Sequence, residues 1–273
     1  MSKPAESVKV VDPVWDRMRR EAKEMADQEP VLASFIFATV LNHDALAEVL
    51  SFHLARKLAS AEVSAMVLRE VFEDAYEADP SIIDAFRADT VAVYDRDPAC
   101  DSYLQPLLFF KGFNSLQAHR LAHWLWTQDR RAMALFIQSR VSELFAVDIH
   151  PAARVGKAIM MDHATGIVIG ETAVVGDDVS MLHGVNLGGT GKEGGDRHPK
   201  IGRGVLLGAD SKILGNLKIG DCARVGAGSV VLADVPANCT VAGVPAKVVG
   251  CAGCDEPSRA MNQIIENEED GGR

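Results

Sequence analysis

Aliphatic residues or methionine recur at every sixth position in the second half of the chain. They stand at Ile149, Val155, Met161 and Ile167, and after a two-residue slip at Ile169, Val175, Met181 and Leu187. After a longer break the series runs Ile201, Leu207, Ile213, Ile219, Val225 and Val231. Glycine often follows these positions, as at Gly156, Gly170, Gly176 and Gly202. The fixed short period predicts a parallel β-helix over Ile149 to Gly250. Each hexad supplies one strand and one turn, and its aliphatic residue points into a narrow prism. A single coil cannot bury its own face, so the coils stack. A β-sandwich with Gly-rich turns would allow alternation but not an unbroken register of six.

The first half follows a different period. Pro13 sits just inside a first helix with Asp12 as its N-cap. Pro30 opens an apolar segment, Val31 to Leu41. Asp44 is placed to cap a helix in which Leu46, Val49, Leu50, His53, Leu54 and Leu58 share one face. Further helices are expected from Ser60 to Tyr76, from Ser81 to about Thr90, from Phe113 to Gln128 and from Arg130 to Phe145. Asp95-Arg96-Asp97-Pro98 reads as a loop. The expected organisation is an α-helical domain over 1–145, a β-helix over 146–250 and a mobile, highly charged tail over 251–273.

Composition narrows the function. Of 23 glycines only Gly112 precedes residue 150, which marks the boundary between the two halves. The formal net charge of −10, with no basic run, argues against a nucleic-acid partner. No apolar stretch has the length of a membrane span. Met1 to Asp12 lacks the apolar core of a secretory signal, so a cytoplasmic protein is expected. The five cysteines, an odd and sparse set, suit free thiols in a reducing compartment. Cys251 and Cys254 form a lone CxxC without the second pair a zinc site needs.

The break in the hexads, from Leu187 to Ile201, is where a loop must leave the solenoid, and loops on rigid scaffolds often carry function. It contains Gly188-Gly189-Thr190-Gly191-Lys192 and Gly195-Asp196-Arg197-His198-Pro199. With Val147-Asp148-Ile149-His150-Pro151-Ala152 and Asp162-His163-Ala164-Thr165-Gly166, these runs resemble bacterial serine O-acetyltransferases, within the broader hexapeptide-repeat acyltransferases. The helical half is similar too, at Arg96-Asp97-Pro98-Ala99 and Lys111-Gly112-Phe113. The resemblance covers almost all of the chain except its ends.

The resemblance implies an α + β protein, an N-terminal α-helical domain followed by a left-handed parallel β-helix. It also implies transfer of the acetyl group of acetyl-CoA to L-serine, the first step from serine to cysteine. Trimers, or dimers of trimers (a hexamer), would place each active site between subunits. L-cysteine would act as feedback inhibitor. The next enzyme, O-acetylserine sulfhydrylase, docks on a C-terminal isoleucine in this family, whereas this sequence ends Gly272-Arg273. Asn186 stands where the family more usually has Thr.

The residues suit that chemistry. A serine hydroxyl needs its proton removed as it attacks a thioester, and an imidazole is the natural base. That role falls to His163, with Asp148 as the acid partner that the resemblance implies. Asp97 and Asp162 would pair with the substrate ammonium and Arg197 with its carboxylate. His198 would lie beside the reacting centre, contributed across a subunit boundary. Gly189, Thr190, Ala209, Gly228 and Lys247 are candidates for the CoA groove. No metal is expected. The rival reading is a zinc hydratase with His163, His183 and His198 as ligands; His150, His119 and His123 read as structural.

Overall fold

A computed structural model describes residues 12–191, 194–253 and 255–265. The hexads form a parallel β-helix with three faces. One face stacks β1 (Val147–Ile149), β4 (Ile167–Ile169), β7 (Asn186–Gly188), β10 (Lys212–Leu214) and β13 (Val230–Val231). The second stacks β2 (Arg154–Val155), β5 (Val174–Val175), β8 (Lys200–Ile201) and β11 (Lys218–Ile219). The third stacks β3 (Met160–Met161), β6 (Ser180–Met181), β9 (Leu206–Leu207), β12 (Arg224–Val225) and β14 (Cys239–Gly243), and an antiparallel strand β15 (Ala246–Cys251) closes it.

The predicted aliphatic series is the inner lining. Ile149, Ile169, Leu187, Ile213 and Val231 lie in register down the first face. Val155, Val175, Ile201 and Ile219 line the second, and Met161, Met181, Leu207, Val225 and Val241 the third. Nearly all of these are buried. The corner Asp162–Gly166 absorbs the two-residue slip, and the loop after β7 absorbs the longer break.

Among the described residues eight helices precede the coil: α1 (Pro13–Gln28), α2 (Ala33–Ile36), α3 (Leu46–Leu58), α4 (Ala65–Ala78), α5 (Ser81–Arg96), α6 (Leu104–Phe109), α7 (Lys111–Thr127) and α8 (Arg131–Phe145). A π-helical turn, Phe37–Leu41, continues α2. Asp12 caps α1 as expected, its carboxylate accepting from Trp15 N–H at 3.1 Å. Other ends differ from expectation. Helix α3 is not capped by the Asp44 side chain; instead the Asp44 N–H donates to Glu48. Helix α4 starts after Ser64, because Ser60 spends its hydroxyl on its own turn, accepting from Val63 N–H. Helix α5 runs on through Arg96, since Val93 and Arg96 are buried, and stops where Pro98 disfavours a helical Asp97.

Two buried polar clusters fasten the helices to the coil. Asp89, wholly buried on α5, accepts from Arg120 Nη2 at 2.7 Å and Gln117 Nε2 at 2.9 Å, both on α7. Its other oxygen accepts from the Ile159 N–H of the coil at 2.9 Å, and Arg120 also donates to the Gly156 carbonyl at 2.8 Å. Burial pushes the Asp89 carboxyl up, opposed by Arg120, Ile159 N–H and Gln117. The second cluster is built on Arg96, which donates to Ala158 O, Ser180 Oγ and Asp178 Oδ1, each at 3.1 Å.

The segment expected to be a mobile tail is held as far as it is described. A short helix, α9 (Pro257–Ala260), lies on the coil, with the Ser258 carbonyl accepting from Ser180 Oγ at 2.8 Å and Arg259 reaching Asp178 at 3.2 Å. Arg224, buried on β12, donates to the Asn262 and Ile264 carbonyls, both at 3.0 Å. These backbone contacts do not depend on the tail's charge, which is why composition alone misjudges residues 255–265. The expectations for Cys254 and for 266–273 lie outside the described residues.

Gly112, the lone glycine of the helical half, marks where α7 meets the coil. A Cβ there would stand 2.3 Å from the Met161 carbonyl oxygen and 2.8 Å from Ala164 Cβ. Neither is the far end of a flexible side chain, so α7 or the corner would have to move. In an isolated helix Ala is favoured over Gly by about 1 kcal/mol. Here Gly112→Ala is expected to destabilise instead, by about 1–3 kcal/mol, as overpacking does. Urea denaturation of the two proteins checks the sign; a stabilised variant would mean that the contact is loose.

Candidate functional site

Two corners of the coil carry the polar residues that sequence singles out. The first lies between the third and first faces, where β3 turns into β4 through Asp162-His163-Ala164-Thr165-Gly166. His163, Ala164 and Gly166 all have positive φ, at 55°, 57° and 79°. Left-handed angles are costly for residues with a Cβ and persist only when the surroundings fix them. Those surroundings are visible. Gly166 N–H donates to the Ala146 carbonyl at 2.7 Å, Thr165 N–H to the His163 carbonyl at 2.8 Å, and Lys111 Nζ to Thr165 Oγ1. The corner throws the His163 side chain outward, where it is 75% exposed.

The neighbouring coils stack on this corner. The His163 and His183 rings lie edge to face, 6.1 Å between centroids. His183 O accepts from Asp210 N–H, and Ala209 O from Gly228 N–H, at 2.9 and 2.7 Å. Ala209 and Gly228, expected in the CoA groove, therefore belong to the same column as His163. Asp162 lies 3.7 Å from the His163 ring. Asp97 ends α5, beside Arg96 that anchors this helix just before β3, and its carboxylate accepts from Ala99 N–H at 2.8 Å. No ion pair links Asp97 to His163.

The second corner lies at the other edge of the first face, where β4 turns into β5 and the long loop returns to β8. Thr172 organises it. Its Oγ1 accepts from Arg197 N–H and His198 N–H, both at 3.0 Å. Thr172 N–H in turn donates to His198 Nδ1 at 3.2 Å, and Oγ1 lies 2.9 Å from the same nitrogen. With both backbone donors on Oγ1, the hydroxyl proton is free for Nδ1 as well. His198 Nδ1 is then an acceptor, and its proton sits on Nε2. Burial, then the Arg197 charge, holds the ring's pKa below the usual histidine value. His198 is thus set up as a neutral donor through Nε2.

Gly170 makes room for that ring: a Cβ there would lie 2.1 Å from His198 Cδ2 and Nε2. Arg197 Nη2 pairs with Glu171 at 2.7 Å and Nη1 reaches the Gly195 carbonyl at 3.2 Å, so its fork is engaged within the chain. Gly189 borders the same corner, 3.8 Å from His198 Nε2 when given a Cβ, and Thr190 packs over Gly215. Lys247 is exposed on β15, opposite Ala242 of β14, whose neighbour Gly243 donates its N–H to Ser229 Oγ beside Gly228 at 3.2 Å.

Between the two corners runs the outer surface of the first face. Asp148 and Asn186 lie in register with Val168 on this surface, while Val147 and Ile149 point inward. Asn186 is half-buried there, a position that takes a polar side chain without entering the prism. Asp148 Oδ1 accepts from Gln138 Nε2 of α8 at 2.7 Å, and no hydrogen bond joins Asp148 to His163. The anticipated His–Asp pair is therefore not formed in the single chain. Gln138 occupies the carboxylate, and the left-handed turn points the imidazole outward.

The single chain thus brings Asp162, His163, Ala209 and Gly228 to one column, and Arg197, His198, Gly189 and Thr190 to another. The proposed zinc ligands divide the same way, with His163 and His183 on one edge and His198 on the other. Among the described residues no three His, Cys, Asp or Glu are grouped to hold a metal ion. Sequence reasoning missed Glu171, Thr172 and Gln138. Glu171 and Thr172 meet Arg197 and His198 of the next coil, and Gln138 reaches Asp148 from α8, and no motif spacing announces that.

Comparison with known proteins agrees with this architecture. Residues 14–118 match the family model "Serine acetyltransferase, N-terminal", and residues 198–233 match "Bacterial transferase hexapeptide (six repeats)". Serine acetyltransferase of Salmonella typhimurium is 56% identical over 260 residues, covering 95% of this chain and 94% of that protein. A solved serine acetyltransferase in complex with cysteine superposes with a TM-score of 0.91 at 52% identity, covering 93% of this chain and 98% of the other. The serine acetyltransferase of Brucella abortus strain S19 in complex with coenzyme A gives a TM-score of 0.88 at 54% identity, covering 89% and 98%. Fold, motifs and likeness along nearly the whole length agree, and the chain belongs to the serine acetyltransferase family.

Proposed function

We propose that the acetyl group of acetyl-CoA passes directly to the hydroxyl of L-serine at a site completed by two copies of this chain. One copy supplies the His163 column, the other the His198 column. The observation that carries this reading is their separation: the two columns stand at opposite edges of one face, a strand apart. A three-residue strand spans roughly 10 Å, too far for both to touch one hydroxyl and one thioester. Packing the face of one coil against the edge of the next would bring unlike columns together, as in a trimer or a dimer of trimers.

In this reading His163 takes the serine hydroxyl proton as the oxygen bonds to the thioester carbonyl carbon. The C–S bond then breaks, and the imidazolium returns the proton to the departing CoA thiolate. Rotation of the exposed His163 ring toward Asp148 would give the imidazolium its counter-charge. His198, holding its proton on Nε2, donates toward the developing oxyanion or the substrate carboxylate. Arg197 pairs with that carboxylate by sharing its fork with Glu171, and Asp97 and Asp162 receive the ammonium. Ala209 and Gly228 from one copy, with Gly189 and Thr190 from the next, would line the pantetheine arm; Lys247 would meet a phosphate. Use of acetyl-CoA fits a cytoplasmic enzyme.

The chemistry puts its largest demand on the base. His163→Ala should fold and assemble, because the side chain is exposed and holds nothing in the prism. Its kcat should fall by roughly 10²–10⁴, the usual worth of a general base. A thiol-release assay with L-serine, L-homoserine, a galactoside and an amino sugar, run on both proteins, tests base and acceptor together. Turnover close to wild type in the variant would remove His163 from the mechanism.

L-cysteine shares serine's ammonium and carboxylate, and a related enzyme has been solved with cysteine bound. We propose that it competes for the same charged groups. Asp97→Ala should then raise the KM for serine and weaken cysteine inhibition together. Cysteine titrations at several serine concentrations decide this. Inhibition that serine cannot relieve, and that the substitution leaves unchanged, would place cysteine elsewhere.

A further inference from the structure

Neither corner uses a cysteine, yet two cysteines meet at the end of the coil. Cys239 opens β14 and Cys251 closes β15, and the antiparallel register sets them directly opposite each other. The backbone decides what kind of pair they form. Val241 O, two residues beyond Cys239, accepts from Gly226 N–H of the preceding coil at 2.8 Å. Along a strand the polar groups of alternate residues turn the same way, so those of Cys239 also turn toward β12 and away from β15. One residue earlier, Asn238 O accepts from Ala252 N–H at 2.8 Å. Cys239 and Cys251 are therefore a non-hydrogen-bonded pair, the kind whose Cα atoms approach to about 4.5 Å.

Side chains of such a pair lie on one side of the sheet, with Cβ atoms about 4.5–5.5 Å apart. A disulfide takes Cα separations of about 4.4–6.8 Å and Cβ separations of about 3.5–4.5 Å. The Cα spacing fits, and closure asks the Cβ atoms to approach by about 1 Å at most. Strand β15 has the freedom for that. It is the last strand of its sheet, paired with β14 alone, and its register shifts between Thr240 and Val241, next to the pair. Thr240 Oγ1 also donates to the Cys251 carbonyl at 2.8 Å and holds that end of β15 in place.

The thiols differ in access as an exchanging pair requires. Cys251 is exposed and Cys239 half-buried. Cys100 and Cys222 are buried, and burial raises both thiols, that of Cys100 to about 11, which withholds their thiolates from competition.

We infer that Cys239 and Cys251 are a thiol–disulfide exchange site that takes low-molecular-weight disulfides and closes into a cross-strand bond. The Cys251 thiolate attacks one sulfur of the incoming disulfide, whose S–S bond breaks and releases one small thiolate. The Cys239 thiolate then attacks Cys251 Sγ and expels the second. Two protein thiols are oxidised, the small disulfide is reduced to two thiols, and the two protons lost by the protein end on them. The bond clasps β15 to the last coil. Exposed disulfides are of the labile kind that reducing thiols reopen. The site is independent of both corners.

Glutathione disulfide is the probe, applied to the full-length protein at mildly alkaline pH. Free thiols are then alkylated and the protein is cut with trypsin. Cleavage after Lys247 separates residues 225–247, which carry Cys239, from 248–259, which carry Cys251 and Cys254. A disulfide joining these two peptides within one chain, reopened by dithiothreitol, is expected. Cys239→Ala should instead retain one glutathione on Cys251, and Cys251→Ala should slow uptake at Cys239 about tenfold or more, since Cys239 is the less accessible thiol. Cys254→Ala should leave the link unchanged. Closure should also slow hydrogen exchange of the β15 amides. A glutathione that persists on wild-type Cys251, a bond between Cys251 and Cys254, a link lost in Cys254→Ala, or cross-linking between chains would overturn the inference. Unchanged β15 exchange on closure would overturn the clasp.

Discussion

Stacked register is the constraint on which the rest of the molecule depends. Ile169 lies over Ile149, Leu187 over Ile169 and Ile213 over Leu187, and two similar columns run down the other faces. Each such residue removed from water is worth about 1.5–3 kcal/mol. A shift of one residue would turn the lining outward, so the register is firmly held. Every corner then inherits a fixed place. His163, His183, Ala209 and Gly228 align because their hexads align, and Thr172 meets His198 for the same reason. The geometry of the two corners is thus a by-product of hydrophobic stacking, with polar residues added at the corners.

The helical half is fixed to this prism by charge rather than by apolar packing alone. Asp89 and Arg120 are buried together and share their remaining hydrogen bonds with Ile159 N–H and Gly156 O of the coil. A buried pair gains little net stability over an apolar one but is strict about geometry when every donor is satisfied. It sets α5 and α7 against the coil. Helix α7 in turn brings Gly112 onto the His163 corner, and α5 brings Arg96, and with it Asp97, beside β3.

The period of six made the coil legible down to individual residues, and the motifs at Asp162-His163 and Arg197-His198 made both corners legible. What sequence could not give was the relation between them. That Gln138 would take Asp148, and Glu171 take Arg197, depends on side chains brought together across coils and from α8. Gly112 could be noticed as the lone glycine of the first half, but its reason, a carbonyl 2.3 Å from where its Cβ would be, exists only in three dimensions. Helix ends were misjudged where a buried residue, such as Arg96, outweighed a charged and loop-like local sequence. The described part of the tail, 255–265, was misjudged because Arg224 grips the Asn262 and Ile264 backbone carbonyls rather than side chains.

The central claim is that the two corner columns act in different copies of the chain. Co-expressing His163→Ala with His198→Ala chains tests it most directly. Each variant alone should show little acetyl transfer. In mixed assemblies, a site between copies would combine an intact His163 from one chain with an intact His198 from its neighbour. Random pairing at equal expression gives about one such site in four, so activity should recover to about a quarter of wild type. If both histidines instead act within one chain, no mixture contains an intact site, and activity staying at the level of the separate variants would contradict the account.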